Sequence, residues 1–161
     1  MSETVGIPQR LASLQDLAPA GFAIALHVRF TSPLYLFQTY PDAWLAEYSR
    51  DGLVMRDPTV AWAFAHPGTI DWAPLAAQDD SGVMARAAAH GLRHGVTVSL
   101  HRDGSRSMAS FARGDRPFDD EEVARIEEAV GALHDATASA QPLTPQAREA
   151  IRRLSVAFTH P

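Results

Sequence analysis

The sequence predicts an α+β fold: an α/β/α sandwich with a central antiparallel sheet of about five strands and helices on both faces. Three observations predict it. Apolar runs of period two come in pairs joined by turn residues, as antiparallel hairpins do. Helical runs flank those pairs instead of alternating with single strands, which argues against a doubly wound parallel sheet. The hydrophobic fraction of 46% and charged fraction of 20% over 161 residues supply the core of one domain, with at most a short appendage.

Each element has a local reason. Leu11, Leu14 and Leu17 recur at helical spacing over 8–18, and Pro19-Ala20-Gly21 stops the run. Phe22, Ile24, Leu26, Val28 and Phe30 alternate on one face of a strand. Thr31-Ser32-Pro33 turns the chain, and Leu34 to Thr39 is the hairpin partner. Pro41 is expected at the first position of a helix reaching Arg50, stopped by Asp51-Gly52. Asp57 caps a second short helix with Pro58 at its first position, and Pro67-Gly68 breaks it. A fifth strand is expected around 69–75. Asp80 or Ser81 is expected to cap an Ala-rich helix to His90, with Gly91 after it. Val96 to His101 and Met108 to Ala112 form a second hairpin around Asp103-Gly104. Asp119 and Glu122 make a capping box for a helix carrying Val123, Ile126, Val130 and Leu133 to about Thr137. A linker over 138–142 precedes a last helix from Thr144-Pro145, with Ile151, Leu154 and Phe158 on one side.

Composition excludes several classes. A net charge of −5, with the Arg residues scattered, does not suit a phosphate-binding surface. The absence of Cys rules out a disulfide scaffold and fits a reducing compartment. No apolar run approaches the ~18 residues of a membrane span, and Met1 to Gln15 lacks the basic start and apolar core of a signal peptide. A cytoplasmic chain without membrane contact is expected. His90 and His94 have helical metal-site spacing, but Gly91 intervenes and no third ligand follows. His27 and His101 fall in strands, as core or surface imidazoles. Asp79-Asp80 and 119–122 place acids at helix starts, where they complement the dipole. No Ser-His-Asp, phosphate-loop or paired-carboxylate pattern stands out, so no enzyme is expected.

The chemistry concentrates in 40–72. Tyr40, Trp44 and Tyr48 lie at i, i+4 and i+8, one stripe of a helix. Such a stripe is more often core than binding site. It nevertheless gathers two hydroxyls and an indole N–H close to Asp57, and buried polar tips of that number need partners. Asp57 has two readings: an ordinary cap, or a carboxylate with one oxygen on the helix and the other on a ligand amide.

Tyr40, Trp44, Tyr48, Asp57, Pro58 and Trp72 resemble, in identity and spacing, the ligand-binding domain of the LuxR family of quorum-sensing regulators, which bind N-acyl homoserine lactones. Gly91-Leu92, Gly95-Val96-Thr97 and Met108-Ala109-Ser110-Phe111 resemble it too, so the likeness runs over roughly 8–140. The resemblance implies that Trp44 donates to the lactone carbonyl, Asp57 accepts the amide N–H, and Tyr40 donates to the acyl carbonyl. Ser110 would bond the same region. Tyr48 and Trp72 would wall the pocket, and Thr59, Val60, Leu36, Leu92 and Thr97 would line the acyl chain. It implies no cofactor beyond that ligand. Two departures concern pocket shape: Pro67-Gly68-Thr69-Ile70-Asp71 precedes Trp72 where the family carries an apolar pair, and Val98-Ser99 replaces a common Pro.

Leu143-Thr144-Pro145-Gln146-Ala147-Arg148-Glu149 resembles the opening of the family's helix-turn-helix domain. The expected organisation is a sensor domain over 1–140 and a linker with the start of that domain over 141–161. Either the sequence stops near the junction of a longer DNA-binding regulator, the preferred reading, or the protein lacks an output domain and inhibits a full-length relative by pairing with it. DNA contact is expected only through a C-terminal domain outside this chain. A homodimer or heterodimer through the helix over 119–137 is expected. A sensor of a non-lactone small molecule is the remaining alternative.

Overall fold

The protein is described by a computed structural model covering residues 6–30 and 32–138. Helix α1 (Ile7–Leu17) buries Ile7, Leu11, Leu14 and Leu17 along one stripe, and Pro8 sits in its first turn, where the missing N–H costs nothing. The chain then runs through β1 (Gly21–Val28), β2 (Tyr35–Gln38), α2 (Asp42–Arg50), α3 (Pro58–Ala65), β3 (Gly68–Asp71), α4 (Val83–Ala89), β4 (His94–Arg102), β5 (Ser105–Arg113) and α5 (Asp120–Thr137). Short 3-10 segments span Leu53–Arg56 and Ala73–Gln78. The five strands form one sheet in the order β2-β1-β5-β4-β3, every neighbouring pair antiparallel. This is the expected α+β sandwich. The last predicted helix and most of the linker before it lie outside the described residues.

Four expectations need correction. Phe30 does not continue the buried face of β1; it is 96% exposed. The register shifts between Ala25 and Val28, and His27 adopts a positive φ of 55°, so Leu26 and His27 both turn inward. A bulge of this kind breaks period two, and alternation alone does not reveal it. Pro41 is the N-cap of α2 and not its first residue, so Tyr40 precedes the helix. Neither Asp80 nor Ser81 caps α4: the Asp79 carboxylate accepts from the Val83 and Met84 N–H groups at 2.8 Å each. The fifth strand occupies Gly68–Asp71 only, and the chain beyond Trp72 turns into a 3-10 segment.

Strand register sorts the sheet's side chains onto two faces. Toward α1 and α5 point Phe22, Ile24, Phe37, Val96, Val98, Ala109 and Phe111, which form one core with Leu11, Leu14, Ile126, Val130 and Leu133. Toward α2, α3 and α4 point Ala23, Ala25, Ser110, Ala112, Gly95, Thr97 and Ser99, almost all small. A second core forms there from Trp44, Leu53, Trp72, Val83, Ala87, Leu92 and Ala112.

Helix α5 is fastened at both ends. Asp119 and Glu122 form the expected capping box. Arg116 grips Glu122 through two bonds of 2.7 and 2.9 Å, and that guanidinium, with the Asp119 N–H, holds the Glu122 carboxyl at about 2. At the other end two buried imidazoles meet, His27 and His134, with ring centroids 4.3 Å apart. His27 Nε2 contacts the His134 carbonyl at 3.0 Å and Thr137 Oγ1 at 2.9 Å, and its Nδ1 contacts Ser105 Oγ at 2.6 Å. A carbonyl can only accept, so Nε2 carries the proton and Ser105 donates to Nδ1. Burial of this neutral ring pushes its pKa below 6.5.

Candidate ligand site

The small-residue face is not packed shut. Ala23, Ala25, Met108 and Ser110 sit on β1 and β5, two of the three strands inside the sheet, yet all are half-buried. Their neighbours on the opposite face, Phe22, Ile24, Ala109 and Phe111, are 0–3% exposed. Short side chains under helices carried on bulky residues leave a hollow, because interiors otherwise reach crystal-like density. Leu36 projects onto the same face from β2, in register with Ala25.

Helix α2 and the N-terminus of α3 bring the polar groups to this hollow. Asp57 is the N-cap of α3: its Oδ1 accepts from the Thr59 N–H at 2.9 Å and the Thr59 hydroxyl at 2.7 Å. Its Oδ2 accepts from the Tyr48 hydroxyl at 2.7 Å. The capping reading of Asp57 is seen directly, and the second oxygen faces Tyr48 and keeps a lone pair. Burial, then the Asp57 charge, pushes the Tyr48 phenol well above its usual range. The same two causes act on Tyr40, so both stay protonated and able to donate.

Trp44 is 3% exposed, packed edge-on against Tyr48 at 5.5 Å and against His90 at 5.4 Å. Its indole N–H has no hydrogen bond among the described residues. No fully buried side-chain polar atom there lacks a partner, so this N–H reaches open space. Glu47 fixes that corner by accepting from Arg86 at 2.7 Å and bonding His90 at 2.9 Å, and Arg86 also pairs with Asp51.

Trp72 behaves differently. Its N–H donates to Thr97 Oγ1 at 3.0 Å, and Thr97 Oγ1 lies 2.7 Å from Ser110 Oγ. With Trp72 donating, the Thr97 proton can go to Ser110, which leaves the Ser110 hydroxyl proton for the hollow. The Trp72 ring lies on Gly95, where any Cβ would collide with it; a larger residue could not hold the indole in this place. Tyr40 donates to the Ser110 main-chain carbonyl at 3.3 Å, long for an O–H···O bond and easily redirected.

The structure thus gathers Tyr40, Trp44, Tyr48, Asp57, Thr59, Trp72, Thr97 and Ser110 around one face. Val60 is half-buried on α3, Leu36 stands on the β2 edge strand, and Leu92 is 2% exposed within the second core. Sequence reasoning missed Ala23, Ala25, Met108 and Ser99. Period two marks which residues share a face but not that the smaller set borders a void. It also missed the Tyr48–Asp57 bond and the packing of His90 on Trp44, both of which depend on how α2, α3 and α4 come together. Among the described residues no group of three or more His, Asp or Glu could hold a metal, and no helix is long and apolar enough to cross a membrane.

Comparison with known proteins places these observations. A family model described as the autoinducer binding domain matches residues 20–140. No curated protein matches the chain. Among solved structures, the N-acylhomoserine lactone-dependent LuxR family transcription factor CepR2 from Burkholderia cenocepacia is similar at a TM-score of 0.62 and 20% identity, over 86% of this chain and 84% of that one. SdiA in complex with octanoyl-rac-glycerol aligns at 0.65 and 20% identity, over 98% and 71%. Escherichia coli SdiA in another crystal aligns at 0.59 and 23%, over 90% and 66%. At such identities the likeness is one of fold.

Proposed function

The chain belongs to the autoinducer-binding-domain family of LuxR-type regulators, a ligand-binding regulatory family, and we propose that its ligand is an N-acyl homoserine lactone held between the small-residue face of the sheet and helices α2 and α3. The observation that supports this most is the polar set around an otherwise apolar hollow: a Trp44 N–H without a partner among the described residues, an Asp57 carboxylate with a spare lone pair, and a Ser110 hydroxyl whose proton is free for the hollow when Thr97 donates to it. In this reading Trp44 donates to the lactone carbonyl and Asp57 accepts the amide N–H. Tyr40 leaves its long bond for the acyl carbonyl, and Ser110 supports the same region. Tyr48 and Trp72 form walls. Thr59, Val60, Leu36, Leu92 and Thr97 border the acyl chain.

The energies suit such a ligand. Each hydrogen bond contributes about 1 kcal/mol, more at the charged Asp57, and each buried CH₂ about 0.8 kcal/mol. Ligand enclosure raises stability by mass action. The test is the thermal midpoint of this chain with lactones of about four to sixteen acyl carbons. A length-dependent rise of several degrees is the expected result; no shift with any of them in a folded sample overturns the reading.

A second reading draws on the SdiA complex with octanoyl-rac-glycerol: an acyl glycerol would use the same hollow. Its ester has no N–H, so it would leave the Asp57 lone pair unmatched. Preference for the lactone over the acyl glycerol of equal chain length separates the two.

The organisation proposed around this site has a sensor over 1–140 and a linker entering a helix-turn-helix domain over 141–161. Dimerisation would use α5, with a homologous chain or a full-length relative as partner. DNA would be reached only through a domain beyond this chain, in the cytoplasm, with no catalytic step.

A further inference from the structure

The same face of the sheet continues past Ser110 toward the β4–β5 hairpin. On β4 the same face carries Thr97, Ser99 and then His101; on β5 it carries Ser110, Met108 and then Arg106, with Val28 of β1 opposite Arg106. On α3, Val60 and Phe64 are one turn apart on a common face, below the Asp57 cap. These rows lead to an open groove of about 580 Å³ at the hairpin end of the sheet, lined by Val28, Phe30, Phe64 and residues 101–106. It lies four residues along β5 from Ser110, roughly 13 Å at ~3.3 Å per residue. That is a reach suited to an extended acyl chain anchored at Trp44 and Asp57.

The chemistry of this far end is unexpected for a simple alkyl terminus. Arg106 is half-buried, with its guanidinium 5.3 Å above the Phe64 ring centre and its Nε–H donated to His101. Those two contacts orient the guanidinium, and Arg106 lines the groove. Among the described residues no carboxylate pairs with it. The carboxylate in the lining, Asp103, is exposed at the hairpin turn, and neighbouring Arg102 is already bonded to Asp135 at 2.8 Å. A planar cation held on an aromatic ring and lacking a counter-ion is a receptor for a forked anion, while Val28, Phe30 and Phe64 supply apolar walls leading to it.

Resting on the lactone reading above, we infer that Arg106, with Phe64 and His101, recognises the distal end of the ligand, and that the acyl chain this protein takes ends in a carboxylate. Arg106 is the specificity-determining residue; Trp44 and Asp57 remain the head-group anchors.

The experiment compares two synthetic lactones of about twelve acyl carbons, one ending in a methyl group and one in a carboxylate, by calorimetric or fluorescence titration of the full chain. The expected result is at least tenfold tighter binding of the carboxylate form. That preference should be abolished in Arg106→Met, kept in part by Arg106→Lys, and reduced by added salt. Equal or tighter binding of the methyl form by the wild-type protein overturns the inference and leaves the lactone reading standing, without need of any variant. Retention of the full preference in Arg106→Met overturns the role of Arg106. Failure of both lactones to bind overturns this inference and the lactone reading together.

Discussion

The two faces of the sheet are built from the same strands with opposite residue sizes. On β5, Ala109 and Phe111 point toward α1 and α5 and are 3% and 0% exposed, whereas Met108 and Ser110 point toward α2 and α3 and are half-buried. On β1, Phe22 and Ile24 oppose Ala23 and Ala25 in the same way. One face maximises buried apolar area and the other sacrifices it. The larger apolar core therefore lies on the α1/α5 side, and the polar groups suited to a ligand cluster beside the smaller core on the α2/α3 side. A single strand can serve both because successive side chains never compete for the same space.

The largest test of that division is Phe111→Ala. It should cost about 3–5 kcal/mol by removing a large ring from a site with no room to collapse, read as a lower urea midpoint. A loss under ~1 kcal/mol would show that the two faces do not differ as described. Next comes Gly95→Ala, a methyl group added under the Trp72 ring. It should cost about 1–3 kcal/mol as overpacking and shift the tryptophan emission as the Trp72–Thr97 bond is lost. An unchanged spectrum and melting point would mean that the indole is not seated on this glycine.

Asp57→Asn should sharpen the contrast by separating stability from binding. The amide oxygen can still cap Thr59, so the fold should lose less than ~1 kcal/mol. Lactone affinity should fall at least tenfold, or about 1.4 kcal/mol. Unchanged affinity by titration would remove Asp57 from the site. The smallest effect is expected at the buried His27 on the α1/α5 side. Its folded pKa lies below the unfolded 6.5, because burial favours the neutral ring. Its contribution is therefore fully present above pH 6.5 and is lost as pH falls below it toward the folded value. A melting point that declines between pH 6.5 and 5 in the wild type, and declines less in His27→Gln, is the expected outcome. Equal slopes would place the acid sensitivity elsewhere. The salt-bridged Glu122, held at about 2, loses its contribution only at lower pH, below its unfolded value near 4.5.

Much of the fold could be read from residue order. The Asp119/Glu122 capping box, the Asp57-Pro58 helix start and the Asp103-Gly104 hairpin depend on contacts within a few residues, and each occurs where local chemistry directs it. Helix starts differ from the local pattern where the capping group is one residue off: Asp79 in place of Asp80, and Pro41 as cap instead of first helical residue. Phe30 departs from period two because a bulge at His27, stabilised by Ser105, Ser107 and α5, reverses the facing of the strand after it. No local pattern encodes partners so distant in the chain.

The same distinction holds for the candidate site. Tyr40, Trp44, Tyr48, Asp57 and Trp72 could be singled out by type and spacing, because aromatic rings with polar tips near a capping carboxylate are uncommon in ordinary core, whereas Thr97 and Ser110 come forward only through the family resemblance. By itself the sequence determined the helices, the hairpins, the alternation of sizes along β1 and β5, and the inventory of donors and acceptors. Only the tertiary structure decided that Tyr48 donates to Asp57, that Trp72 is tied through Thr97 to Ser110, and that, among the described residues, the Trp44 N–H has no partner and Arg106, farther along the same face, has no acidic one. The physical reason is range. Propensity, capping and periodicity act over a few residues, whereas a hydrogen bond or an ion pair belongs to whichever groups packing brings within about 3 Å of each other.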